Sequence, residues 1–351
     1  MTASEKVFVR GVGAVSPAGW DVKALCDSVA KDEALGTEFL ELPGARKPLV
    51  CRKVPALTAR PEFVNHPRFR RTSPISQYAA AVAIEALGDD LARVRNDGMR
   101  LGVIVCMMAG CVNYSRRFYH ETLADPATAS PLIFPETVFN APASHITALL
   151  GATGVNYTFV GDQGTFLQAI AMGADWISMR QMDACLVVAS EELDWMVADA
   201  FQMFNRNIIV CAGAGAVYLA REPGRGAAVQ LCAVTDAHCF SSAQSWLQAV
   251  CKMRAELPPA SPNCLLCDSR QNLPSLDAPE TAAWKDWNGA RVSPKKILGE
   301  GLIASAAWQT VLAVEALQSK RFDAASVSVT GSNQQAVGAH FVCDQSRSRP
   351  A

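Results

Sequence analysis

Asn156-Tyr157-Thr158-Phe159-Val160-Gly161-Asp162-Gln163-Gly164-Thr165-Phe166-Leu167-Gln168-Ala169-Ile170 is the stretch that decides how this chain is read. Its first five residues are β-branched or aromatic in the main and predict a strand. Gly161 and Gly164 bracket a sharp turn, and Asp162 just ahead of the apolar run is placed to cap a helix. A strand that turns abruptly into a helix is where several enzyme folds display a nucleophile. The display position here is Gln163, whose amide is not one. The stretch reads as an enzyme scaffold with its chemistry removed.

Strand and helix signals alternate on both sides of this turn, which predicts an α/β fold. Strands are expected at Val7–Gly13, Leu101–Cys106, Ala184–Ala189 and Gly213–Ala220, and helices at Ser73–Leu87, Pro142–Leu150 and Thr165–Arg180. Glu222-Pro223-Gly224-Arg225-Gly226 is short, charged and rich in breakers, and is the expected boundary. Beyond it the alternation resumes, with strands at Ala227–Val234, Cys264–Cys267, Ser326–Thr330 and Ala339–Cys343 and helices at Ser241–Glu256 and Leu302–Ser319. The chain thus divides into halves of similar content, residues 1–222 and 226–351, without a sequence repeat strong enough to prove duplication.

Composition narrows the function classes. The 351 residues are 50% hydrophobic and 19% charged with a net charge of -1, which gives no basic excess for a nucleic-acid partner. No apolar run is long and uninterrupted enough to span a bilayer, and the opening Met1-Thr2-Ala3-Ser4-Glu5-Lys6 leads straight into a strand without a signal peptide. A soluble, cytoplasmic protein is expected. The 12 cysteines have no disulfide spacing, and most, such as Cys106, Cys185, Cys232 and Cys343, lie in apolar runs as small hydrophobes. Cys264-Leu265-Leu266-Cys267 lacks a second Cys/His pair, so neither a metal nor a cofactor is expected. His66, His120, His238 and the two that read as structural, His145 and His340, fall in no catalytic pattern.

Several pieces, in order, carry a resemblance. Val9-Arg10-Gly11-Val12-Gly13-Ala14-Val15-Ser16-Pro17-Ala18-Gly19 forms an opening strand and a G-x-G-x-x-S-P-x-G turn. Ser130 to Ile146 precedes the Gln163 turn, Val187-Val188-Ala189-Ser190-Glu191-Glu192 follows its helix, and Ala212-Gly213-Ala214-Gly215-Ala216 stands for a G-E-G-A-G strand. Together they resemble the β-ketoacyl synthases of the thiolase fold over nearly the whole chain. The resemblance implies a thiolase-like fold of two pseudo-symmetric βα halves in a layered α-β-α-β-α architecture.

That family's chemistry uses a cysteine thiolate at the helix N-terminus to take the acyl group and two histidines to stabilise an enolate. The cysteine position matches Gln163. The first histidine opens an H-G-T-x-T-x-x-x-D-x-x-E-T stretch; here Ser269 stands first, with Asp277 and Glu280-Thr281 retained. The second ends K-x-x-x-G-H; here Lys295-Lys296-Ile297-Leu298-Gly299-Glu300 places Glu300 there. The N-S-F-G-F-G-G loop has become Thr330-Gly331-Ser332-Asn333-Gln334-Gln335-Ala336. Lys295 is expected to pair with Glu300 or with Asp277 in a residual network that includes Asp162.

The resemblance implies a non-condensing subunit of the chain-length-factor type, in a heterodimer with a catalytic β-ketoacyl synthase and meeting acyl carrier protein through that partner. Polyketide, aryl-polyene and fatty-acid-type pathways all fit. The strand Tyr157 to Gly161, with Phe159, would extend the sheet across the interface. Met107, Met108, Cys111, Phe134, Thr137 and Phe139 are candidate liners of an acyl tunnel there, or ordinary packing residues. Ser241–Pro262 and Phe204–Ile208 are shorter than the family's corresponding segments, which removes parts of a substrate entrance. Two other readings stay open: altered chemistry, thioester hydrolysis or malonyl decarboxylation using Glu300, Ser269 or Gln163; and a homodimeric, non-catalytic acyl-binding protein.

Overall fold

A computed structural model describes residues 5–344 apart from 45, 58, 60, 225, 260, 261 and 333. Met1–Ser4, Arg225 in the boundary segment, Ala260 and Ser261 in the shortened stretch and Asn333 in the altered loop lie outside the described residues.

The first part of the chain forms β1 (Val7–Val15), α1 (Val22–Ala30), β2 (Glu38–Leu40), β3 (Leu49–Arg52), α2 (Pro74–Leu87) and α3 (Leu91–Asn96). Then follow β4 (Leu101–Met107), α4 (Val112–Ala124), α5 (Ala141–Leu150), β5 (Asn156–Val160) and α6 (Thr165–Ser178). β6 (Ala184–Glu191), α7 (Trp195–Phe204), β7 (Val210–Cys211) and β8 (Gly213–Ala220) complete it. After the breaker segment come β9 (Ala228–Val234), β10 (His238–Cys239), α8 (Ala243–Glu256), β11 (Cys264–Cys267), α9 (Pro274–Ala283) and β12 (Ala290–Val292). The chain continues through α10 (Pro294–Leu298), α11 (Ile303–Gln318), β13 (Ala324–Thr330) and β14 (Gln335–Asp344).

The strand order repeats. One run reads β1-β8-β6-β4-β5 and the other β9-β14-β13-β11-β12. In the first, β8 is antiparallel to β1 and β6, while β6, β4 and β5 are parallel. In the second, β14 is antiparallel to β9 and β13, while β13, β11 and β12 are parallel. The runs join through antiparallel β1 and β9, with Val7 opposite Leu231. A duplication with no legible sequence repeat is therefore plain in the topology.

Helices α6 and α11 pack between the runs, each touching strands of both. This is why α11 buries Ile303–Val314 without a polar face. Its Trp308 indole N–H donates to the carbonyls of Val15 at 3.0 Å and Ala214 at 2.9 Å, which ties the helix to β1 and β8. α2 and α5 cover the outer face of the first run, and α8 with α9 that of the second. Fully buried β4 shows the layering in its period of two: Ile104 and Cys106 join the central core, while Val103, Val105 and Met107 join the core under α2. A Cβ on Gly13 would lie 2.2 Å from the Val82 carbonyl oxygen, so the glycine lets α2 rest on the backbone of β1.

Expected strands at 213–220 and 264–267 have the observed bounds, and helix ends move by a residue or two. α4 was not foreseen, because none of its residues is buried and it carries no core-facing stripe. Cys106 and Cys185 are buried as expected, whereas Cys232 is exposed. Among the described residues no helix is long and apolar enough to cross a membrane.

Candidate functional site: a closed triad between the halves

Gln163 and Glu300 occupy corresponding places. Each lies in the connection leading from the last parallel strand of its run, β5 or β12, to a central helix, α6 or α11. The fold brings them together. The Gln163 amide donates to Glu300 Oε1 at 2.9 Å. Lys295, on α10, donates to Gln163 Oε1 at 2.7 Å and to Glu300 Oε2 at 2.9 Å. Glu300 Oε1 also accepts the Leu302 backbone N–H at 2.8 Å. Gln163 is 0% exposed and Lys295 and Glu300 are each 3% exposed, so the triad is sealed.

This network admits one orientation of the Gln163 amide. Turning it over would set its NH2 against the Lys295 ammonium and its oxygen against the Glu300 carboxylate. A lysine and a glutamate buried this deeply require each other, since an isolated buried charge is costly. Glutamine suits the third place because it supplies an acceptor and a donor at once.

The remaining sequence candidates lie elsewhere. Asp277 does not pair with Lys295; its carboxylate accepts the backbone N–H groups of Gln271 at 2.9 Å and Leu273 at 3.1 Å and shapes the start of α9. Asp162 is not the cap of α6. Gly164 takes that position without a side-chain bond, and the Asp162 carboxylate instead accepts the Gln335 N–H at 3.2 Å. A Cβ on Gly331 would stand 1.7 Å from Asp162 Oδ2, so the glycine makes room for this crossing between the halves.

Ser269 is buried but outside the triad. Its hydroxyl donates to the Ser328 carbonyl at 3.1 Å and accepts the Thr330 N–H at 3.0 Å. Its own N–H donates to Glu280 at 3.0 Å. Burial, with Asp268 nearby, pushes the Glu280 carboxyl up to about 8. His145 bonds Glu136 at 2.9 Å and His340 bonds Ser326 at 3.0 Å. Among the described residues no cluster of His, Cys, Asp or Glu is arranged to hold a metal ion.

The candidate tunnel residues separate by burial. Met107 and Cys111 belong to the core under α2. Met108 packs beside α7. Phe134, Phe139 and Tyr157 are exposed. Thr137 and Phe159 are half-buried; the Thr137 carbonyl accepts the Ser115 hydroxyl at 3.2 Å, and Phe159 packs on the central core. Among the described residues strand β5 is hydrogen-bonded on one side alone, to β4. Tyr157 and Val160 on this strand are exposed. Tyr157 and Phe159 line a depression at the β5 edge with Asn140 and Ser144, which also border a neighbouring depression lined by Leu132, Phe134, Val138, Arg68, Arg71 and Glu136.

Glu191 ends β6 and Glu192 follows it; the sequence marks both as part of the resemblance and gives neither a role. Glu191 accepts backbone N–H groups from Met108 and from Ala109 at 3.2 Å. Burial, with Glu192 beside it, pushes its carboxyl up to about 8. Glu192 accepts the Ser73 hydroxyl, and the N–H groups of Ile75 at 3.3 Å and Asn113 at 2.7 Å, thereby tying together the starts of α2 and α4.

Residues 4–208 match the N-terminal domain of the β-ketoacyl synthases. The chain belongs to the β-ketoacyl synthase family. Among curated proteins none shows significant sequence similarity to it. Its fold is that of solved ketosynthases. A β-ketoacyl synthase from Burkholderia phymatum superposes with a TM-score of 0.79 at 14% identity, over 97% of this chain and 99% of that one. The ishigamide ketosynthase/chain length factor gives 0.78 at 16% identity, over 96% and 99%. The ketosynthase ApeO in complex with its chain length factor ApeC, from Xenorhabdus doucetiae, gives 0.76 at 15% identity, over 98% and 99%. The thiolase-like α/β architecture is thus shared across the whole chain.

Within this ketosynthase scaffold, the turn that ends β5 offers neither thiol nor hydroxyl. The cysteine that senses Glu300, Cys211, is fully buried, and burial together with that carboxylate pushes its thiol well up, away from the thiolate form a nucleophile needs.

Proposed function

We propose that this chain is a non-condensing ketosynthase-like subunit that pairs with a catalytic β-ketoacyl synthase and shapes the acyl or polyketide tunnel between them. The observation that carries this reading is the β5 edge, paired among the described residues with β4 and carrying exposed Tyr157 and Val160. An unpaired strand edge without charged guards is a template for another chain. Covering side chains of this size contributes roughly 1.5–3 kcal/mol each. That two structures similar in fold are named for a ketosynthase and a chain length factor supports the same choice.

On this reading Phe134, Thr137 and Phe139 face the tunnel, and Tyr157 and Phe159 lie at the subunit boundary. Met107 and Cys111 act through core packing. Residues 1–222 and 226–351 are taken as the two halves, and acyl carrier protein is met through the partner. The pathway is of polyketide, aryl-polyene or fatty-acid type. A hydrolase or decarboxylase reading loses support, because both oxygens of Glu300 are already engaged in a buried group.

Co-expression with the ketosynthase encoded nearest to this chain, followed by native mass spectrometry, tests the proposal. A one-to-one complex is expected. A homodimer that leaves the ketosynthase behind would refute it.

A further inference from the structure

We propose that Glu300 is a built-in ligand: its carboxylate fills an anion cage in the ketosynthase pocket of this chain and holds that pocket shut, and a free small carboxylate takes its place once the side chain is removed. The inference does not depend on the partner reading.

Four donors converge on one carboxylate. Gln163 Nε2 and Lys295 Nζ each stand 2.9 Å from it, the Leu302 N–H 2.8 Å and the Ser305 hydroxyl 3.4 Å. Leu302 and Ser305 belong to the start of the 16-residue α11, whose N-terminus carries a partial positive charge. The Lys295 ammonium, 3% exposed, bonds only within this group among the described contacts. The cage therefore has the composition of a bound-anion site, with a side chain of the protein as the anion.

The backbone aims that side chain. The Glu300 N–H donates to the Ile209 carbonyl at 2.8 Å, and the Glu300 carbonyl accepts the Cys211 N–H at 2.9 Å. Glu300 is clamped against β7 on both sides, which leaves its carboxylate one direction to point. The charged donors are arranged independently: Lys295 by α10 and Gln163 by the β5–α6 turn of the other half. Truncating Glu300 would thus leave the donors standing around a space of carboxylate size. No acyl group enters this pocket while Glu300 occupies it, so any chain the protein helps to hold lies outside the triad.

The test is chemical rescue of Glu300→Ala. Thermal unfolding is followed with sodium formate, sodium acetate or sodium chloride at equal ionic strength, and ¹³C-formate line broadening reports binding directly. The variant is expected to melt below the parent and to recover by on the order of 2–4 °C at saturating formate. Chloride, and the parent protein with either carboxylate, are expected to show no such rise. A folded variant that ignores formate, or a parent that responds equally, overturns the proposal. Glu300→Gln, which keeps the shape, covers the case in which Glu300→Ala does not fold. Its destabilisation must shrink when Lys295→Met is added, because the ammonium then has no lost anion to miss; additive losses would also overturn the proposal.

Discussion

Gln163 and Glu300 lie 137 positions apart and meet through a 2.9 Å hydrogen bond between the two halves of the fold. Each stands in the connection to a central helix, so this contact joins the two points at which the duplicated architecture presents side chains inward. Lys295 closes it into a triad. The arrangement is stable where an active site would have to stay open.

Restoring a thiol at the turn is expected not to restore condensation. Gln163→Cys would place a sulfur in a sealed site between the Glu300 carboxylate and the Lys295 ammonium, whose charges act in opposite directions, so that burial, which opposes thiolate formation, decides. Assays with malonyl and acyl thioesters should show no condensation above background, and iodoacetamide should label the introduced thiol more slowly than a free cysteine. Rapid labelling at neutral pH would show that the pocket is open.

Removing one member of the buried pair should be expensive. Lys295→Met leaves the Glu300 carboxylate without its cation, at a cost of about 3–5 kcal/mol. Urea unfolding measures it. A loss below about 1 kcal/mol, the range of exposed pairs, would mean that water reaches the site.

The Ser269 hydroxyl holds Thr330 and Ser328 in place. Ser269→Ala is expected to lower stability by about 1–3 kcal/mol, as for a lost buried hydrogen bond, and to leave the activity of the proposed ketosynthase complex unchanged. A selective fall in turnover, with stability intact, would assign the residue a role in the chemistry.

Stability should decline as the pH rises through the neutral range. Glu191 holds its proton up to about 8 in the folded chain against an ordinary value of 4.5. Between these values the folded state binds more protons than the unfolded one, so its contribution is complete below about 4.5 and is lost as the pH rises through about 8. Glu280 acts in the same direction and window. Melting temperatures between pH 5 and 9 should fall, and Glu191→Gln should flatten the curve. A profile unchanged by that substitution would place the linkage elsewhere.

The open edge should be separable from the fold. Tyr157→Lys and Val160→Glu put charges on exposed positions of β5. Each is expected to alter the stability of the isolated chain by no more than ~0.5 kcal/mol and to abolish association with the proposed ketosynthase partner. Association that survives both, measured by native mass spectrometry, would move the interface away from β5.

The sequence by itself determined the α/β class, the bounds of strands such as 156–160 and 264–267, and the glutamine at the display turn, because these rest on local periodicity and on one residue at a marked place. Tertiary structure decided what Gln163 does there. The choice of Glu300 over Asp277 as the partner of Lys295, and the crossing of Asp162 to Gln335, depend on how two halves distant in sequence are brought face to face. The duplication itself belongs to strand order, which survives when residue identity has drifted. The open edge at β5 was hidden for the opposite reason: the strand pattern of 156–160 is local, and only the order of strands in the sheet shows which of them lies at the edge.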